Sequence, residues 1–178
     1  MERARWMLAM AVGWLAACHP AAAAPATATS RPALVPEMKR LSFYVGEWQC
    51  RGVSTDVDGT RHEHGALRVS VVPVLDGTWL EVRVSEDGVP ATSELKGYDP
   101  HAHRFRHVWA TGEGQTGSYT SAGWVGNQMV FLEDHPASGR PERTVFTRLG
   151  ETRYSHRAEV DTGSGYRVEF EKTCSKQI

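Results

Sequence analysis

Histidines spaced i, i+2 are the first residues in this chain that could do chemistry. His62-Glu63-His64 and His101-Ala102-His103 would each set two imidazoles on one face of a strand, as zinc ligation requires. The first pair opens a strand after the Asp58-Gly59 turn, and the second sits in the loop after Asp99-Pro100. Histidines beside turns at a strand rim are usually solvated, and nothing in the spacing brings the two pairs together, so no metal is assigned. For nucleophilic catalysis the chain has no Gly-x-Ser-x-Gly. It also has no Ser, His and Asp set that its elements would obviously gather. No catalytic residue is assigned, and binding is expected rather than catalysis.

Two further motifs dissolve on position. Asp161-Thr162-Gly163-Ser164 matches an aspartic-protease signature, with apolar Val160 before it, but only 14 residues follow Ser164. That is too little chain for the sheet and flap such a site needs, so a hairpin turn is expected. Gly112-x-Gly114-x-x-Gly117 fits a dinucleotide fingerprint as a pattern, yet a strand rather than a helix follows it. Without a helix N-terminus no dipole holds a pyrophosphate, and a hairpin loop is the better account.

The elements that must position these residues are strands. From Trp48 onward apolar and polar residues alternate in short runs broken by Asp58-Gly59, Asp76-Gly77 and Asp87-Gly88 and by later Gly and Pro clusters. The runs predict strands near 46–56, 61–74, 77–86, 92–98, 103–111, 116–124, 127–133, 142–149, 151–160 and 165–175. The only helical signal is short, Pro36 followed by Glu37 to Leu41. About ten antiparallel strands must manage their edges, and an up-and-down barrel removes them. The expected fold is therefore all-β, a closed antiparallel barrel with one short N-terminal helical turn. On the third strand Leu80, Val82 and Val84 share one face and Trp79, Glu81 and Arg83 the other, the charged face being read as solvated.

The amino terminus is a different kind of segment. Arg3 and Arg5 precede an apolar run from Trp6 to Ala17 that closes on Leu15-Ala16-Ala17-Cys18. A charged start, an apolar stretch and small residues before a Cys form a secretory signal with a lipobox. The apolar run is roughly 12 residues, short of the about 20 that span a bilayer. Residues 1–17 are read as a signal peptide, Cys18 as the lipidated first mature residue, and 18–35, rich in Ala, Pro and Thr, as a tether to a barrel domain over 36–178. The alternative is ordinary cleavage within 21–24, which discards Cys18; both readings agree on export. Residue 19 is His rather than Asp. By resemblance to other lipoproteins, this favours an outer-membrane anchor facing the periplasm in a diderm host.

Lipidation of Cys18 leaves Cys50 and Cys174 as one pair in an oxidising compartment. If they lie directly opposite on the first and last strands, antiparallel pairing places Ser54 opposite Phe170 and Trp48 opposite Lys176. Trp48 is then expected at one end of the barrel, shielded from water, with Lys176 near its indole face. The chain carries 20 Lys and Arg against 21 Asp and Glu, and residues 36–178 are slightly acidic, which offers no footprint for nucleic acid.

Gly46-Glu47-Trp48-Gln49-Cys50-Arg51-Gly52 resembles the first strand of calycin-type barrels. More narrowly it is similar to the nitrobindin pattern Gly-x-Trp-x-Gly-x-Gly, with Cys50 at the middle glycine. Together with Pro73 to Glu81, Gly97-Tyr98-Asp99-Pro100, Phe105, Trp109 and Asn127 to Phe131, it resembles an uncharacterised bacterial family of exported, calycin-like, nitrobindin- and lipocalin-related domains. That resemblance implies a barrel but lends no chemistry. Nitrobindins hold haem through a histidine near the carboxyl end; the last strand here has none, and His156 lies one strand earlier. No cofactor is assigned, with haem kept as an alternative.

The expected function is a membrane-anchored lipoprotein whose barrel binds a small apolar or amphipathic ligand without catalysis. The candidates for the cavity are Trp48, the one-face set Phe105, His107 and Trp109, and the pair Tyr154 and His156. The alternatives are a structural or interaction lipoprotein with a filled barrel, and a haem- or metal-binding nitrobindin-like protein. Oligomeric state is left open.

Overall fold

The alternating runs form antiparallel strands in the computed structural model, which describes residues 34–136 and 138–177. The expected signal peptide, Cys18 and nearly all of the expected tether lie outside the described residues. The strands are β1 (Gly46–Thr55), β2 (Arg61–Glu63), β3 (Leu67–Val74), β4 (Trp79–Glu86), β5 (Val89–Asp99) and β6 (Arg104–Thr111). They continue as β7 (Thr116–Ser121), β8 (Trp124–Val125), β9 (Gln128–Glu133), β10 (Glu142–Arg148), β11 (Arg153–Asp161) and β12 (Tyr166–Lys176). Ten of them close a ring in the order β1-β3-β4-β5-β6-β7-β9-β10-β11-β12, with β12 returning to β1. The short β2 pairs with β1 and the short β8 with β9, outside that ring.

Two predicted strands are split, each for a local reason. The run 61–74 breaks at 64–66 because side chains from the β4–β5 turn take the backbone donors. Glu86 accepts from Gly65 N at 2.9 Å and Asp87 from Ala66 N at 2.8 Å. The run 116–124 breaks at Gly123, whose φ of +108° turns the chain out of the ladder. The Asp87-Gly88 turn has positive φ at both residues, the conformation a two-residue hairpin demands. Bulges fall between Val84 and Ser85 opposite β5, and between Ala158 and Glu159 opposite β12. Both lie towards the same end of the barrel and bend its wall there.

The clamp predicted from the cysteines is present. Cys50 and Cys174 form a disulfide across 124 residues of chain. The register pairs Trp48 with Lys176 and Ser54 with Phe170. Such a bond belongs to an oxidising compartment.

One end of the barrel is a filled floor. The helical turn predicted after Pro36 is a 3₁₀ helix, Met38–Tyr44, which carries Met38, Leu41, Phe43 and Tyr44 into the barrel end. So short a helix is held by what it buries rather than by propensity. Leu34 and Val35 pack on the same core, so folded chain begins before the predicted boundary at 36. Trp48, 1% exposed, lies across this floor and donates its indole N–H to the Tyr44 carbonyl at 2.8 Å. Lys176 Nζ sits 5.3 Å from the Trp48 ring, as the register required. Tyr154 meets Trp48 edge-on at 4.9 Å, and Met129, Phe131 and Phe146 complete the plug. Each such side chain, fully buried, contributes about 1.5–3 kcal/mol. On β4 the aliphatic Leu80, Val82 and Val84 face inward and Arg83 faces solvent, the solvated alternative read from the sequence.

Candidate functional site

Above the floor the barrel is hollow. A cavity of about 560 Å³ is lined towards its mouth by His64, Glu86, Gln115, Glu142 and Glu169, and along its walls by Leu67, Val84, Trp109, Tyr119 and Phe170. At its base lie Glu94, His107, His156 and Lys172. The emptiness has a structural origin: the residues that would fill this half are small or absent. Gly52 has no side chain, and Leu67 and Phe170 occupy its place, only 2.7 and 3.2 Å from where a Cβ would be. Trp109 likewise lies flat on Gly117, its cross-strand partner, with Nε1 2.6 Å from a would-be Cβ. The indole thus forms wall rather than filling.

The base of the cavity is a buried polar layer. Cross-strand pairing puts Lys96 opposite His107, Glu94 opposite Trp109, and His156 opposite Lys172. Glu94 is 8% exposed, Lys96 2% and Lys172 5%. Glu94 and Lys96 form an ion pair. Burial acts to raise the Glu94 carboxyl, but the Lys96 ammonium, aided by His107, holds it well below the usual carboxylate range. Burial lowers both Lys96 and Lys172, and the Glu94 carboxylate opposes that fall in each.

The two histidines are neutral. Burial and then the Lys96 charge push His107 down to about 4. Burial and then Lys172 hold His156 well below the ordinary imidazole range. His107 Nε2 lies 3.0 Å from Glu94 Oε2 but off the line of its N–H, so this contact is electrostatic and no hydrogen bond forms. Both nitrogens of His107 and both of His156 are shut from solvent without a hydrogen-bond partner among the described residues. His107 stacks on Tyr119 at 5.5 Å and His156 on Phe146 at 4.4 Å. Their rings are held by packing while their polar edges go unsatisfied, an uncommon state for buried groups.

The structure distributes the predicted residues over two levels. His107, Trp109 and His156 line the cavity. Trp48, Tyr154 and Phe105 lie in the packed core and are not among its lining residues, because the 3₁₀ helix and the aromatic plug occupy the space they face. The histidine pairs separate. His62 contacts Asp56 at 2.9 Å on the surface, whereas His64 turns to Glu86 at 3.2 Å at the cavity mouth. His101 and His103 are exposed in the β5–β6 turn. Among the described residues no three His, Cys, Asp or Glu side chains lie close enough together to hold a metal ion. Residues 161–164 form the β11–β12 hairpin turn, with Asp161 accepting from Gly163 N at 2.8 Å, and 112–117 span the β6–β7 hairpin.

Sequence reasoning passed over Glu94, Lys96 and Lys172, yet signals for all three were present. Once His107 faces inward, the tight β5–β6 hairpin sets Lys96 and Glu94 inward too, leaving Leu95 and Val108 outside, each 40% exposed. Once Cys174 faces inward, period two does the same for Lys172.

No family model and no curated protein matches this chain. Among solved structures it is similar to Rv2717c from M. tuberculosis, at TM-score 0.60 and 15% identity over 82% of this chain and 100% of that one. It is also similar to the S-type phycobiliprotein lyase CPES from Guillardia theta, at TM-score 0.52 and 10% identity over 79% of this chain and 92% of that one. At these identities the likeness is one of fold, and with its closed ten-strand ring the fold is calycin-like.

Proposed function

We propose that this chain is a cell-envelope lipoprotein whose barrel holds a small apolar or amphipathic molecule and does no chemistry on it. The observation that carries this reading is the cavity of about 560 Å³ between a sealed floor and an open mouth. That volume falls in the roughly 300–1,000 Å³ range of ligand pockets, and a few buried polar groups at its base would fix a ligand's orientation. The unpartnered nitrogens of His107 and His156 support it further, since a bound molecule would give them what the protein does not. Native mass spectrometry of protein isolated from its own host tests the reading: a co-purified mass is expected. A bare protein that also binds none of a panel of apolar and amphipathic compounds would instead favour the filled-barrel interaction lipoprotein.

The anchor is inferred from Cys18 closing the lipobox. Detergent partitioning is expected for the mature protein, with Cys18→Ser blocking processing or releasing it. Wild-type protein found wholly in the soluble fraction, starting after Ala21, would overturn the anchor.

A second reading is favoured by one observation: two neutral imidazoles, His107 and His156, line one cavity, and a haem iron takes an imidazole nitrogen as axial ligand. Either side chain could hold that iron and would set its redox behaviour. Titration with haem, read as a sharp Soret band that His156→Ala or His107→Ala abolishes, is the test. Absorbance no different from free haem would reject it.

A further inference from the structure

The charge at the base of the cavity is unbalanced. Among the described residues Glu94 supplies the one carboxylate at the base, and it is engaged by Lys96 and faced by His107. Lys172 has no ion pair or hydrogen bond among the described residues, and its ammonium lies 6.0 Å from the Phe170 ring. With both histidines neutral, two ammonium groups stand against one carboxylate. Such a residue of positive charge is costly to bury unless something compensates it. Beside Lys172, in direct cross-strand register, stands His156, whose buried N–H has no hydrogen-bond partner among the described residues. A cation and an unsatisfied imidazole side by side at the bottom of an apolar-walled well form an acceptor-seeking site.

We propose that the occupant is an amphiphile with a carboxylate head, seated on Lys172 and His156, its apolar part lying along Leu67, Val84, Trp109 and Phe170 towards the mouth. This rests on the ligand-binding reading above. The rim argues for the same orientation. Glu142 and Glu169 line the mouth, so an anionic head left there would meet like charge, while one lowered to the base meets Lys172. A cationic head at the base would face the surplus positive charge, with the Glu94 carboxylate already engaged. A neutral head would satisfy His156 but leave Lys172 uncompensated.

Three probes with one tail separate these cases: sodium decanoate, 1-decanol and decyltrimethylammonium bromide, the two ionic probes titrated below their micelle concentrations and decanol below its solubility limit, each followed by calorimetry. Decanoate is expected to bind roughly tenfold to a hundredfold tighter than decanol, the range of a hydrogen bond to a charged group. Decyltrimethylammonium is expected to bind weakest. Lys172→Met should bring decanoate to the level of decanol without weakening decanol, and Lys172→Arg should keep the preference. Equal binding of decanoate and decanol, or preference for the cation, overturns the head-group proposal and leaves the ligand-binding reading standing. Failure of all three to bind overturns both. The head-group series uses the unaltered protein, so the proposal stays refutable if Lys172→Met does not fold.

Discussion

Replacing Glu94 by Gln keeps its shape and removes one charge, which tests the buried layer directly. Glu94 and Lys96 are paired in the barrel interior with side chains 9% and 2% exposed. The substitution leaves Lys96 and Lys172 facing no carboxylate, and stranding a buried charge in this way costs about 3–5 kcal/mol. Against a domain stability of about 5–15 kcal/mol, that is a large fraction. Removing both charges as Glu94→Leu with Lys96→Met abolishes the desolvation cost on both sides. The double variant still leaves Lys172 without a facing carboxylate, so it is expected to recover most of the Glu94→Gln loss and to be clearly more stable than that single variant. The sign of the pH response adds a second check. Burial already lowers Lys96, and without Glu94 it falls further. The cost of Glu94→Gln should accordingly shrink as pH rises and the stranded lysines deprotonate. Urea unfolding at several pH values measures all of this, with a shifted midpoint and an unchanged slope marking a true stability change. A loss below about 1 kcal/mol for Glu94→Gln, or a double variant as unstable as the two singles combined, would refute the layer as a desolvated ion pair.

Three further outcomes follow from the same geometry. Cys50 and Cys174, joined across 124 residues, should resist alkylation without reductant, and Cys174→Ser should destabilise by roughly 3–5 kcal/mol on a chain-entropy account; a freely alkylated native cysteine would contradict the clamp. His107 is neutral and lowered to about 4 from 6.5. Its neutral burial therefore stabilises fully above the unfolded value and is lost as pH falls through the folded one, on the order of 3 kcal/mol in all. Chemical unfolding from pH 7 to 4 should show this decline, and His107→Phe should flatten it; an unchanged slope in the variant would assign the pH dependence elsewhere. Gly117→Ala drives a methyl into the Trp109 indole and should push the ring into the cavity, costing about 1–3 kcal/mol. Altered tryptophan fluorescence with weaker probe binding is the expected readout, and an unmoved spectrum would mean the strand, not the indole, had yielded.

Much of the scaffold was legible in the residues themselves, because hairpin order and period two are local properties. Two cysteines on the first and last strands set the register that pairs Trp48 with Lys176. From that register the inward faces of both strands follow, and Pro36 with the residues after it marks the helical turn that closes the floor. The predicted alternation likewise sorted Leu80, Val82 and Val84 from Arg83 without any structure. Where the barrel is full and where it is empty was not legible. That depends on how side chains from non-neighbouring strands share one volume, and the 3₁₀ helix takes the space that Trp48, Phe105 and Tyr154 face. The polar base was equally a tertiary product, since the Glu94, Lys96 and His107 group of the β5–β6 hairpin meets the His156 and Lys172 pair of β11–β12 only when the ring closes. Patterning along one strand records which way a side chain points; only closure decides what stands opposite it across the interior, and charge balance and cavity volume are both properties of that encounter.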